Sequence, residues 1–155
     1  MNAPSNAANA EPAWVGDVLR FWFQELSERD WFMRSAEIDA RVRDRFLALH
    51  ERLVRNESLD VSTPRAMLAA VIVLDQFSRN LFRADPRAYA ADPLARRIAR
   101  SLVEQALDRE MTSQERLFVY LPFEHSENRE DQALSVTLFS RLGNDDWTQY
   151  AIAHQ

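Results

Sequence analysis

The chain contains no cysteine. That excludes a disulfide framework, a thiolate metal site and a cysteine nucleophile. It also fits a reducing compartment, so a cytoplasmic location is expected. Lysine is absent too: all 19 basic residues are arginine, which removes Schiff-base chemistry and any catalytic lysine. Only two glycines occur, Gly16 and Gly143. Hairpin turns, P-loops and Rossmann turns need glycine for positive φ, so this scarcity disfavours all three. It favours helices joined by short loops.

No apolar run approaches the roughly 20 residues of a membrane span, and no membrane partner is expected. A net charge of −5 argues against broad nucleic-acid affinity. The opening MNAPSNAANAEP has no basic start or apolar core of a signal peptide. Residues 1–11 are therefore expected to be a disordered tail, and 12–155 a single domain. Hydrophobic residues make up 46% of the 155, enough for an ordinary folded core.

Period-two alternation is missing, whereas helical spacing recurs. Trp14, Val18, Phe21 and Trp22 share one face, with Asp17 and Arg20 on the other. Ser27 and Asp30 suit a capped turn holding Trp31 and Phe32. Ala36 to Arg55 is the clearest amphipathic helix, with Ile38, Val42, Phe46, Leu49 and Leu53 inward; His50 reads as a surface or boundary position. Pro64 after Thr63 opens a helix to about Leu81. Asp85-Pro86 opens a brief turn through Ala90, and Asp92-Pro93 a helix to about Glu110. Thr112 and Glu115 form a capping box. The helix they open is expected to stop near Leu121, because Pro122 follows. Ser126 is the expected cap of a helix from Glu127 to Leu142, terminated by Gly143, and a further helix is expected from Asp146 to His154. The fold class is thus all-α, an antiparallel helix stack or bundle; no convincing internal repeat is found.

Two dense polar runs interrupt this pattern. The first is the end of Ala69 to Arg83, AAVIVLDQFSRNLFR, where hydrocarbon gives way to Asp75, Gln76, Arg79, Asn80 and Arg83. The second is Tyr120 to Gln132, YLPFEHSENREDQ. Buried polar groups require partners, so the two runs are expected to answer each other. Asp75 and Arg79 are one helical turn apart and face one another; Gln76, Asn80 and Arg83 form an adjacent row. Pro122 is expected to put Phe123 to His125 in a loop, with Glu124 and His125 at the mouth of a helix start.

Three readings of this constellation stay open. It is a buried network of Asp75, Arg79, Glu124, His125 and Asp131 that locks helix pairs. Or it is a ligand site formed by Asp75, Gln76, Arg79, Asn80, Arg83, Glu124, His125, Ser126, Asp131 and Gln132, with Arg79 and Arg83 holding a small acid or a protein segment. Or it is an active site of hydrolase type, with His125 as general base, Glu124 or Asp75 orienting it and Arg79 stabilising charge. The leading reading is a non-enzymatic binding module. No cofactor is expected, and the carboxylates and single histidine lack a recognised metal-ligand spacing.

The segments LDQFSRNLFR, AYAADPLA and FVYLPFEHSENREDQ resemble the uncharacterised bacterial family catalogued as domain of unknown function 924, over about Trp14 to His154. The resemblance implies a tetratricopeptide-like, right-handed helical array and no established activity. It places the family's signature on Asp75, Gln76, Phe77, Arg79, Asn80, Phe82 and Arg83, with Pro122, Glu124, His125, Ser126, Asp131 and Gln132. Ser78 departs from the family, which usually has proline there. Similar proteins also continue past the position of His154 with a basic, aromatic segment. The domain 12–155 is therefore expected to lack that piece, to expose apolar surface and to self-associate as a homo-oligomer.

Overall fold

The structure is a computed structural model that describes residues 10–143. Among the described residues all regular structure is helical. The chain runs α1 Ala13–Arg20, α2 Glu28–Trp31, α3 Ala36–Val54, α4 Pro64–Val71, α5 Ser78–Leu81, α6 Asp92–Glu104, α7 Ser113–Glu124 and α8 Arg129–Ser140. Helix α1 continues into a π-turn, Phe21–Glu25, and a second π-turn, Ile72–Phe77, joins α4 to α5. Short 3₁₀ turns occupy Pro86–Tyr89 and Leu107–Glu110. The expected helix from Asp146 to His154 lies outside the described residues.

The central element is the continuous helix of α4, the π-turn and α5. Thr63 caps it by accepting from Ala66 N–H, and Pro64 takes the first turn, where its missing donor costs nothing. Every residue from Ala66 to Asp75 is buried, so this helix is apolar on all sides. It packs against α1, α3, α6 and α7. Aromatic rings close the space around it: Phe21 meets Phe46 at 5.3 Å and Phe77 at 5.9 Å, and Trp22 meets Phe118 at 5.3 Å.

Several local expectations hold. Ser27 with Asp30 and Thr112 with Glu115 form capping boxes. Asp85 caps the Pro86 turn through Arg87 N–H. Others are corrected. The helix from Asp92 ends at Glu104, because Ala106 adopts a left-handed backbone, φ 59°, before the 3₁₀ turn. Pro122 lies inside α7, which runs on to Glu124. Proline removes one donor, the one Phe118 C=O would have met, but His125 N–H still reaches Leu121 C=O at 3.0 Å. The cap of α8 is Asn128, whose side chain accepts from Glu130 and Asp131 N–H, and α8 stops at Ser140. His50 is buried rather than peripheral, 5% exposed.

Candidate functional site

The two polar runs meet. Asp75 sits on the π-turn, 1% exposed. A π-turn adds a residue to one turn and so offsets the faces before and after it. His125 caps the C-terminal end of α7, not the mouth of a helix start as the proline suggested. Its Nδ1–H donates to Asp75 Oδ1 at 2.9 Å. Gln76 Nε2 donates to Asp75 Oδ2 at 2.9 Å, and Arg79 Nη1 stands 3.5 Å from Oδ1. On the other side of the ring, Glu124 Oε2 lies 3.4 Å from His125 Nε2. The imidazole is thus flanked by a carboxylate at each nitrogen.

Arg79 extends the cluster to α6. Its two Nη groups grip Asp92 Oδ1 and Oδ2 at 3.0 and 3.1 Å, a bidentate fork, and its guanidinium stacks 5.3 Å from the Tyr89 ring. Ser126, Asp131 and Gln132 form a neighbouring knot. Ser126 Oγ donates to Asp131 Oδ2 at 2.8 Å, Gln132 Nε2 donates to Ser126 C=O at 2.7 Å, and Arg100 donates to Asp131 Oδ1. Asn80 and Arg83 take no part. Both donate to Asp39 of α3, at 2.8 Å for Asn80 Nδ2 and 2.7 and 2.8 Å for the Arg83 fork. The expected clamp of Arg79 with Arg83 is therefore not assembled: one arginine faces α6 and the other α3.

Electrostatics follow from these contacts. Burial pushes the His125 imidazolium down, but the Asp75 carboxylate outweighs it and holds the pKa above the ordinary 6.5. The carbonyl end of α7 acts in the same sense. Burial pushes Asp75 up, yet His125 and Arg79 together hold it below the ordinary 3.8. Asp92 goes the other way: burial and the negative charge of Asp75 raise it despite the Arg79 fork. Asp131 is held low, because Ser126 and Arg100 outweigh its burial.

A cavity of about 690 Å³ opens over this cluster, within the roughly 300–1,000 Å³ of small-molecule sites. His125, Glu124, Ser126 and Gln132 line one side, and Arg79, Tyr89, Asp92, Pro93 and Arg96 the other, with Glu127 at the edge. Asp75 stands behind His125 and does not line it. Tyr89, Asp92, Arg96 and Glu127 were missed in the sequence. Asp92 reads there as half of an Asp-Pro helix start, and only the contact with Arg79 shows its second use. Arg96 meets Asp131 through Nε at 3.7 Å, beyond hydrogen-bond distance. Among the described residues no group of three or more His, Cys, Asp and Glu is arranged to hold a metal ion, and no helix is long and apolar enough to cross a membrane.

Fold and site together define an all-helical protein with a polar pocket built around a carboxylate–imidazole pair. The chain belongs to the family described as bacterial protein of unknown function (DUF924), which matches residues 18–155. It is similar to the solved structure of the protein of unknown function ATU0120 from Agrobacterium tumefaciens, with a TM-score of 0.85 and 32% identity over 96% of this chain and 81% of that one. No curated protein matches it.

Proposed function

We infer that the pocket over His125 binds a small acidic molecule. The observation that carries this reading is His125 itself, fixed by Asp75 at 2.9 Å, biased toward the imidazolium and lining a cavity of small-molecule size. Arg96 supplies the second positive group. Arg79 is committed to Asp92 and serves as the wall. The ligand's acid group meets the His125 and Arg96 edge, and its body lies against Tyr89 and Pro93. A protein segment is a poorer fit to a cavity of this volume. The binding reading takes the helices as a tetratricopeptide-like stack in the cytoplasm, with the pocket at a junction between helix pairs.

A second reading has a specific observation behind it. A buried carboxylate on Nδ1 of a pocket-lining histidine, with a second carboxylate 3.4 Å from Nε2, orients the imidazole for proton transfer. In that reading Asp75 positions His125, and His125 exchanges a proton with the bound molecule. A thermal-shift screen of small mono- and dicarboxylates and phosphate esters separates the possibilities. Binding predicts stabilisation by one class of acid, lost in Arg96→Ala. Chemistry adds turnover of that compound, lost in His125→Gln. No stabilisation by any acid class contradicts both.

A further inference from the structure

A second pocket, of about 450 Å³, lies between α3 and the segment around the Pro86–Tyr89 turn and shares no lining residue with the first. Its body is apolar, contributed by Leu47, Val54, Phe82 and Ala91. Its charged lining consists of Arg43, Arg55 and Arg87 against one acid, Glu51. In a chain of net charge −5, three arginines around an apolar cavity are a local reversal of sign.

His50 is the one buried polar side chain among the pocket's lining residues. Ser78 Oγ donates its hydrogen to Leu74 C=O at 2.6 Å, so the 2.7 Å contact between Ser78 and His50 Nε2 must be a donation from the ring. That fixes the neutral tautomer with hydrogen on Nε2. The pair is therefore the reverse of a nucleophile and its base: the serine hydrogen is spent on a carbonyl and the imidazole gives rather than takes. Burial also holds the ring below its ordinary pKa. The inner wall is thus uncharged, and the positive charge belongs to the arginines.

Arg43 is held by Leu81 C=O, to which its Nη2 donates, whereas the other two arginines can be re-paired at little cost. Arg87 is 69% exposed and pairs with Asp85 two residues away; Arg55 is 59% exposed and pairs with Glu51 and Glu57. Exposed pairs of this kind are screened by water and contribute little. A carboxylate entering the pocket mouth exchanges one screened partner for another while its body leaves water.

We propose that this pocket is a second ligand site, for a free carboxylate with an apolar body, the body lying against Leu47 and Phe82 and the head among Arg43, Arg55 and Arg87. It is independent of the reading given to the His125 pocket.

The test is calorimetric titration of the full chain with decanoate and with its neutral analogue decanol. Decanoate is expected to bind one per chain and about tenfold more tightly than decanol. Ala90→Phe, at an exposed position on the pocket wall, is expected to abolish both. Arg87→Glu is expected to weaken decanoate and leave decanol unchanged, and circular dichroism verifies that both variants fold. Arg96→Ala, in the other pocket, is expected to leave decanoate binding intact, so failure of one site is distinguishable from failure of the other. Equal affinity for acid and alcohol, undiminished binding in Ala90→Phe, or binding to anionic lipid vesicles without binding of free decanoate overturns the proposal, as does no binding at all.

Discussion

Asp75 Oδ1 and His125 Nδ1 stand 2.9 Å apart although 50 residues separate them in the chain. The contact joins the π-turn of the central helix to the end of α7, and each partner keeps the other in its charged form. Breaking it from the Asp75 side leaves His125 with only the more distant Glu124, and Arg79 with Asp92 alone, as counter-charge. Asp75→Ala is expected to destabilise by about 3–5 kcal/mol, the range for removing one member of a buried ion pair. Urea denaturation measures this; a loss below about 1 kcal/mol contradicts the assignment.

His50, buried, and His125, partly exposed, should give stability opposite pH dependences. His125 has a raised folded pKa, so its contribution is complete below the unfolded value of 6.5 and is lost as pH rises through the folded value. His50 has a lowered folded pKa. It costs nothing well above 6.5, and it destabilises progressively as pH falls toward its folded value. Denaturation across this range in His125→Gln should show the His50 slope alone. Titration of the two rings by NMR assigns each slope.

Glu124 tests the second flank of the imidazole. At 3.4 Å its charge supports the imidazolium less than Asp75 does, being the smaller influence on that proton. Glu124→Gln is expected to lower the His125 pKa, and Asp75→Asn to lower it further. NMR titration of the ring reads the order directly.

How far the site was legible in the sequence depends on the residue. That the two polar runs pair could be read from Asp75 and His125, because polar groups in apolar surroundings require partners. The destination of Asn80 and Arg83 could not. Both follow the π-turn, which shifts the helix face, and Asp39 is an ordinary charge in an amphipathic helix until α3 is docked. The proline rule misplaced Glu124 and His125, since one lost donor near the end of α7 does not stop a helix whose last turn still bonds. His50 was legible in hindsight: it shares the stripe of Phe46 and Leu53. The all-helical class followed from scarce glycine and missing alternation, and both signals act along the whole chain.

The Asp39 contacts provide a control. They brace α5 against α3, none of Asp39, Asn80 and Arg83 lines the His125 pocket, and Asp39 and Arg83 are partly solvent-exposed. Asp39→Ala is expected to cost about 1 kcal/mol and to leave ligand binding at His125 unaltered. Thermal denaturation with and without the ligand found by screening checks both halves.

The proposed binding of a small acid against His125 is open to direct test. The direct measurement is NMR of the His125 ring during titration with carboxylic and phosphoric acids at millimolar concentration. A saturable shift is expected for one class of acid, retained in Asp39→Ala and lost in Arg96→Ala. Ring signals that no acid moves, or a shift that survives Arg96→Ala unchanged, would contradict it.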